Sequence, residues 1–204
     1  MVSVVMPVYN GERYLAECIE SVIAQSGTDW ELVIVNNCST DGTVAVAEGF
    51  AARDDRIRIH HNEEFVSVYE NWNNAIVQGT GRYVYALACD DLIPPGFLET
   101  MAGALEAHPE CGIAHSKLRM IDEDGGDADN WWSHASVFVL SKPEMVERRH
   151  IRRAPLDGVL HLAGETVYVT PTQLVLRRSV LEQVGEFSSR WGNIGDFNWG
   201  MRAA

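Results

Sequence analysis

The stretch from Arg82 to Gly96 constrains the fold more than any other part of the chain. Residues 83–89 are apolar and bounded by turn-forming residues, a pattern typical of a strand buried on both faces. Asp90 and Asp91 follow this run, and Pro-Pro-Gly at 94–96 ends the strand. Because open α/β sheets bind ligands at the carboxyl ends of their strands, we expect a ligand site here.

Asp90 and Asp91 stand together, with no basic residue between Asp90 and Pro95. Two carboxylates supply the hard oxygen ligands that Mg²⁺ or Mn²⁺ prefers, while water and substrate phosphates complete the coordination shell. The same pair would also serve as a cap for the helix that follows the prolines. Taken alone, this stretch leaves both interpretations open.

The composition excludes several classes of function. A formal net charge of -13 over 204 residues argues against nucleic-acid binding, which requires a basic surface. The four cysteines show no Cys-x-x-Cys spacing, so we expect no zinc site. The sequence has no signal peptide and no apolar run of about 20 residues, which predicts a cytoplasmic protein, with contact to the inner face of a membrane left open.

Strands and helices are predicted to alternate along the first half of the chain. The hydrophobic pattern predicts strands at 2–8, 30–35, 57–60 and 83–89, and helices at about 14–25, 43–53, 71–78 and 97–108. Ser39 or Thr40 is expected to cap the second helix. Further on, the pattern predicts a strand at 113–120, an acidic loop at 122–129, a strand after Thr170 and a short helix at 179–185. This order implies an α/β fold with a mostly parallel sheet flanked by helices.

Three motifs follow one another on this framework: Val2 to Asn10 followed by Gly11-Glu12, then Asn36 to Thr43, and Ala88 to Pro95. Together they resemble the family 2 glycosyltransferases, in which the first strand ends in Pro-x-Tyr-Asn, the second in Asp-Asp-x-Ser-x-Asp and the fourth in an Asp-x-Asp-like motif. The resemblance extends over essentially the whole chain. It implies a single GT-A-like, Rossmann-like domain over 1–204, with a nucleotide-sugar half at 1–115 and a smaller acceptor half at 116–204.

Two positions depart from the family pattern. Asn36 and Asn37 stand where the family often carries two aspartates, and an amide donates hydrogen bonds as well as accepting them, so the identity of the base stays open. Ala88 replaces the first carboxylate of the Asp-x-Asp pattern, which leaves Asp90 and Asp91 as the acidic residues. Both changes reduce the acidity of the expected site.

The resemblance implies a role for each candidate residue. The residues expected to bind the nucleotide sugar are Pro7, Val8, Tyr9, Glu12, Asn36, Asn37 and Asp90. Asp90 and Asp91 are expected to hold Mg²⁺ or Mn²⁺, and Asp196 to act as the general base, with Glu165 as the next candidate. The expected reaction is metal-dependent, inverting transfer from a nucleotide-diphosphate sugar, with a UDP-sugar favoured, to a glycan or lipid-linked acceptor.

Other interpretations remain beside this one. A dehydrogenase is disfavoured because the Gly-x-Gly at 79–81 precedes a strand rather than following the first one. A non-catalytic nucleotide- or glycan-binding module of the same fold remains the alternative. Trp131 and Trp132 suit either core packing or sugar stacking, and the arginines within 144–153 suit either a solvated helix or an anionic partner. Family members usually continue beyond the equivalent of Ala204, so we expect the acceptor half to be cut short.

Overall fold

The computed structural model describes residues 1–27, 29–128, 149, 151, 170–190 and 195–203. The strands are β1 (Val2–Val8), β2 (Trp30–Asn36), β3 (Ile57–His61), β4 (Tyr83–Ala86), β5 (Ile113–His115) and β6 (Leu174–Arg177). The helices are α1 (Glu12–Ile23), α2 (Thr43–Ala51), α3 (Val68–Gln78), α4 (Phe97–Ala107), α5 (Arg178–Val184) and α6 (Gly195–Ala203), and a 3-10 turn at Pro171–Gln173 precedes β6. Within these ranges, no helix is long and apolar enough to cross a bilayer.

The six strands form one mixed sheet in the order β3-β2-β1-β4-β6-β5. The first four strands along the chain are parallel to one another, as the alternation of strands and helices predicts. β6 runs antiparallel between β4 and β5, so it is the one reversed strand among these six, and the edge strand β5 again runs in the direction of β4. The predicted α/β architecture with a mostly parallel sheet is confirmed.

Both faces of the central strands are buried. Val4 and Met6 of β1 point into one apolar cluster, while Val5 points into the other, because successive side chains of a strand alternate between faces. Helices α1, α2 and α4 cover the first face, and α3, α5 and α6 cover the second. This double burial explains why the strands are almost continuously apolar in sequence.

Three predicted elements have different bounds in the structure. β4 ends at Ala86, three residues earlier than expected, and the chain turns at residues 89–90. β5 ends at His115 rather than at residue 120. α3 begins at Val68 because Ser67 and Glu70 form a capping box, a sequence signal that the hydrophobic pattern alone did not use.

A buried carboxylate ties the strands together at the amino edge of the sheet. Glu31 accepts hydrogen bonds from Ser3 Oγ at 2.7 Å, from the Thr80 N–H at 2.6 Å and from Arg58 Nη2 at 2.6 Å. Burial on its own raises the pKa of Glu31, but the hydrogen bonds from Ser3, Thr80 and Arg58 outweigh it and lower the pKa from 4.5 to about 2. Glu31 therefore stabilises the fold as a charged group.

We expect Glu31→Gln to lower the free energy of unfolding by roughly 3 kcal/mol at pH 7, since a pKa lowered from 4.5 to about 2 is worth that much. Because the folded-state pKa lies below the unfolded-state pKa, this stabilisation is complete above about pH 4.5. It is lost as the pH falls towards 2, so the two proteins should converge there. Urea unfolding at pH 7 and pH 3 measures the difference.

The matched control for this prediction is Glu106→Gln. Glu106 pairs with Arg82 on the surface, and its side chain is 53% exposed, so we expect a change within about 0.5 kcal/mol. Equal stability of the Glu31→Gln and unsubstituted proteins at pH 7 would contradict the assignment.

Candidate functional site

The carboxyl ends of β1 and β2 lie side by side, since Val8 pairs with Asn36. The chain turns sharply after each strand, and Asn10 and Cys38 adopt the left-handed backbone conformation with φ of 50° and 59°. The Asn10 N–H donates to Ser39 Oγ at 3.0 Å, which joins one loop to the other. The two loops therefore form one continuous edge.

The carboxylates of Glu12 and Asp41 accept hydrogen bonds from N–H groups at the starts of α2 and α1. Glu12 Oε2 accepts from the Gly42 N–H at 2.8 Å, at the start of α2. Asp41 Oδ2 accepts from the Glu12 N–H at 3.2 Å, at the start of α1, while Oδ1 accepts from the Thr43 N–H at 3.0 Å. The hydroxyl of Thr43 is the largest of the groups that lower the pKa of Asp41. Negative charge from the protein therefore sits at the amino ends of both helices.

The expectation that Ser39 or Thr40 caps α2 is wrong. Ser39 Oγ accepts from the Asn10 N–H, and the Thr40 N–H donates to Asn10 Oδ1 at 2.8 Å, so both residues face the first loop. The N-cap residue is Gly42, which has no side chain, and the carboxylate of Asp41 one residue earlier accepts from the Thr43 N–H.

Asn37 is 3% exposed, and its amide holds the loop after β3. Asn37 Oδ1 accepts from Asn62 Nδ2 at 2.9 Å and from the Val66 N–H at 3.0 Å, while Nδ2 donates to the Val66 carbonyl at 2.9 Å. The loop held in this way places Phe65 edge-on against Tyr9, with ring centroids 4.9 Å apart. The two rings are 62% and 49% exposed and form an aromatic rim at the end of β1.

Asn36 is also buried, and its Oδ1 accepts from the Ser39 N–H at 3.1 Å, while Nδ2 lies 3.3 Å from His61 Nδ1. The network continues into α3, since Asn62 donates to Asn71 Oδ1 at 2.8 Å and accepts from Asn74 Nδ2 at 3.0 Å. Both asparagines that replace the family aspartates are therefore bonded within the protein. Their contact with a nucleotide stays a prediction.

The other residues predicted to bind the nucleotide differ in their exposure and in the hydrogen bonds they already make. Pro7 is half-buried in β1, whereas Val8 points into the core and its carbonyl accepts from the Asn37 N–H at 2.8 Å. Tyr9 is the most exposed of the three, and Glu12 is occupied by the Gly42 N–H. A nucleotide at this edge would therefore meet the ring of Tyr9 first.

We expect Asn37→Asp to weaken both the fold and nucleotide binding. The substitution replaces the donor Nδ2 with an oxygen that faces the Val66 carbonyl, at a cost of about 1–3 kcal/mol. The loop carrying Phe65 then loses one of its three hydrogen bonds to this side chain, so the affinity expected for UDP should fall as well. Thermal unfolding and UDP titration measure the two effects. Unchanged stability and UDP affinity in Asn37→Asp would contradict this role.

Asp90 and Asp91 occupy a tight turn beyond β4. The Leu87 N–H still donates to the Val5 carbonyl at 3.0 Å, and the Asp91 N–H then donates to the Ala88 carbonyl at 3.1 Å. Asp90 is exposed and Asp91 is half-buried. The turn thus presents two carboxylates beside the loops that end β1 and β2.

The surroundings of Asp91 favour a bound cation. Burial raises the pKa of Asp91, the hydroxyl of Thr172 lowers it by hydrogen bonding, and neighbouring Asp90 raises it, with a net upward shift. Thr172 belongs to the 3-10 turn before β6, and its carbonyl accepts from Tyr85 OH at 3.0 Å. In the part of the chain that the structure describes, no lysine or arginine is among the groups that shift this pKa.

The side chains available as metal ligands also define the kind of cation site. Within the described ranges, no three His, Cys, Asp or Glu side chains are grouped to hold a metal ion by themselves. Two carboxylates fit Mg²⁺ or Mn²⁺, which commonly takes one or two protein ligands and completes its shell with water and phosphate. The site therefore suits a metal that arrives with a phosphorylated substrate.

Asp196 lies in the first turn of α6, and its side chain is outside what the structure describes. Further along the helix, Trp199 is buried in the same apolar cluster as Ala86, the last residue of β4. α6 therefore lies on the face of the sheet to which Ala86 points, and Asp90 follows Ala86 by four residues.

Several predictions lie outside the described residues: the roles of Trp131 and Trp132, of Glu165, and of the arginines at 148, 152 and 153. Sequence analysis also missed two residues at the site, Phe65 and Thr172. The capping box at Ser67 marks the start of α3, so the sequence could have shown that Phe65 lies in the loop just before this helix. No comparable signal marked Thr172.

Comparison with known proteins points to one family. The model of the family described as Glycosyl transferase family 2 matches residues 3–185. EpsE from Bacillus subtilis is 38% identical over 125 residues, which make up 61% of this chain and 45% of EpsE.

Solved structures share the fold at low sequence identity. TarS from S. aureus superposes with a TM-score of 0.75 at 21% identity, over 99% of this chain and 54% of the TarS chain, and another TarS structure contains UDP-GlcNAc. The mannosyltransferase PcManGT from Pyrobaculum calidifontis, in complex with GDP-Man and Mn²⁺, superposes with a TM-score of 0.62 at 22% identity, over 92% of this chain and 47% of that one. The chain spans about half the length of EpsE, TarS and PcManGT.

Proposed function

The chain belongs to glycosyl transferase family 2, and from this premise we propose that it moves a sugar from a nucleotide-diphosphate sugar to an acceptor hydroxyl, with inversion and with a bound divalent cation. The observation that carries the proposal is the Asp90–Asp91 turn, which lies beside the loops that end β1 and β2. The nucleotide-diphosphate sugars present in TarS and PcManGT support this class of donor.

The helix termini support a metal-dependent route for the diphosphate. Dinucleotide-binding folds place a pyrophosphate at the amino end of the first helix, where free N–H groups attract it. Here the carboxylates of Glu12 and Asp41 already bind N–H groups at the starts of α1 and α2. With a net charge of -13, the protein needs another positive group near the diphosphate, and the paired carboxylates supply a place for one.

The nucleoside is proposed to bind at the aromatic rim of Tyr9 and Phe65. An exposed ring offers an apolar face to a base, and the rim lies directly above the polar network around Asn37. UDP is the favoured nucleotide.

Different residues are proposed to stabilise the leaving group and to activate the acceptor. A cation held by Asp90 and Asp91 would neutralise the charge that develops on the leaving diphosphate. Asp196 accepts the proton of the acceptor hydroxyl as that oxygen attacks the anomeric carbon. Attack from the face opposite the leaving group inverts this carbon. Thr172 holds Asp91 in place through its hydroxyl.

The acceptor is proposed to be a glycan or a lipid-linked sugar, in polysaccharide or glycoconjugate synthesis, and to bind through residues 116–204. α6, which carries the proposed base, packs on the second face of the sheet through Trp199.

A thermal-shift screen of UDP-, GDP- and dTDP-sugars, with Mn²⁺ or with EDTA, tests the proposal. A donor present at 100 times its dissociation constant should stabilise the chain by about 2.7 kcal/mol. We expect stabilisation by one class of nucleotide and only when Mn²⁺ is present. The stabilising donor is then incubated with a panel of oligosaccharide acceptors, and release of the nucleoside diphosphate is measured.

The two stages separate the alternatives. Equal stabilisation of the chain by a sugar nucleotide in Mn²⁺ and in EDTA would show that donor binding needs no metal, and the proposed class of donor would stand. Stabilisation without release of nucleoside diphosphate would identify a non-catalytic binding module. Absence of stabilisation by any sugar nucleotide would overturn the proposed function as a whole.

A further inference from the structure

A short segment after α5, from Val184 to Phe187, receives side chains from helix α6. Arg202 Nη1 donates to the Val184 carbonyl at 2.6 Å, and Nη2 donates to the Glu186 carbonyl at 2.7 Å. Between them, Trp199 Nε1 donates to the Gly185 carbonyl at 2.7 Å. Two side chains of α6 therefore bind three consecutive carbonyl groups.

Helix α3 holds the same segment from the other side. The side chain of Asn73 binds both main-chain groups of Phe187, accepting from its N–H at 3.0 Å and donating to its carbonyl at 2.9 Å. The ring of Phe187 lies between those of Tyr69 and Trp199, with centroids 6.3 Å and 5.1 Å away and near-parallel planes. The segment is thus a mechanical link from α3 to α6.

The path of the segment depends on its glycine. Gly185 has φ of 80°, a conformation that other residues rarely adopt, and it ends α5 so that the following carbonyls turn towards α6. The position of α6 is therefore set by directed hydrogen bonds in addition to apolar packing. Trp199 is 1% exposed, which protects its bond to the Gly185 carbonyl from competition with water, whereas the two bonds of Arg202 are exposed.

Helix α6 carries the proposed base. Asp196 precedes Trp199 by three residues, which is less than one turn, so the anchoring of Trp199 and Arg202 fixes the part of the backbone that presents Asp196. Transfer chemistry is sensitive to such placement, since a misplacement of about 1 Å costs as much as 10²-fold in rate.

We propose that Asn73 is a positioning residue for the transfer reaction, acting through Phe187 and α6 on Asp196. The proposal rests on the proposed function, because it takes Asp196 to be the base. Asn73 stands next to Asn74, which bonds to Asn62 in the network under the nucleoside rim. Neighbouring asparagines on α3 thus support the two ends of the site, Asn74 the nucleotide end and Asn73 the acceptor end.

A double-mutant cycle tests this role, with release of nucleoside diphosphate as the rate and the donor selected by the thermal screen. Asn73→Ala should lower kcat about tenfold and leave KM for the donor within about twofold. In the Asp196→Asn background the same substitution should change the rate by less than about twofold, because the group it positions is absent. The matched variant Asn74→Ala should instead raise KM for the donor.

Arg202→Lys provides a second route if Asn73→Ala does not fold, because lysine is not able to bind both carbonyls in the forked geometry of arginine. It should show the same loss of kcat and the same dependence on Asp196. An equal proportional loss in both backgrounds, or no loss in either variant, would overturn the positioning role. Full activity of Asp196→Asn would overturn it too, while leaving glycosyl transfer itself intact. A lack of transfer by the unsubstituted chain would overturn both proposals.

Discussion

Asp196→Asn is expected to lower the rate of sugar transfer by at least ~10²-fold while leaving affinity for the nucleotide within about threefold. An acceptor hydroxyl is a weak nucleophile until its proton is removed, and asparagine does not accept that proton. Asp196 is the second residue of α6, and a position at the amino end of a helix generally favours negative charge. The proposed base would contact the acceptor and not the diphosphate, so donor binding should survive.

Transfer rates and nucleotide affinity are measured on the same preparations, so that a folding defect shows in both. Glu182→Gln is the control, because Glu182 is an exposed carboxylate on the neighbouring helix α5 and should leave both quantities unchanged. If Asp196→Asn transfers sugar at the full rate, Asp196 is no more than a helix-terminal residue. The base would then have to be sought elsewhere, with Glu165 as the next candidate.

Much of the fold could be predicted because it depends on local pattern. The apolar runs that became β1 to β3 and the helical spacing of α1, α2 and α4 were predicted to within a few residues. The place of β6 was not predicted. β6 joins β4 in antiparallel pairing across about 90 residues of chain, for instance Tyr85 with Val175, and no local pattern records such a partner.

The candidate site was predicted in part for the same reason. Residues directly after a strand were placed correctly at the carboxyl edge, since the end of a parallel strand fixes where the next residues lie. The direction of a side chain within that edge was harder. Nucleotide binding by Asn37 stays a prediction. What the sequence did not indicate is that its amide binds the Val66 backbone, because the path of the loop after β3 decides which groups it meets.

The environments of the carboxylates at this edge of the sheet support the proposed cation. Protein carboxylates at the edge are of two kinds: Glu12 and Asp41 are bonded to N–H groups, while Asp90 is exposed and Asp91 has a raised pKa. The negative charges of Glu12 and Asp41 are already compensated by N–H groups at the helix termini. Asp90 and Asp91 lack such compensation, and a divalent cation would supply positive charge to them and to the diphosphate together.

We therefore expect Asp91→Asn to remove most of the increase in UDP affinity that Mn²⁺ produces, and to lower the transfer rate on the order of 10²–10³-fold. Asparagine keeps the size of the side chain and its hydrogen bond with Thr172, so the turn should stay folded. The loss would then report the missing charge. Calorimetric titration of UDP in Mn²⁺ and in EDTA gives the metal-dependent part of the affinity directly.

Glu20→Gln is the matched control, since Glu20 is an exposed carboxylate of α1 and its loss changes the net charge equally. It should leave the difference between Mn²⁺ and EDTA intact, which separates a local metal ligand from a general effect of charge. Screening weakens exposed charges at about 0.15 M salt, so the contrast between the two variants should persist there. Equal UDP affinity in Mn²⁺ and EDTA for the unsubstituted chain would show that Asp90 and Asp91 hold no metal, and the diphosphate would then have to be neutralised by side chains of the protein.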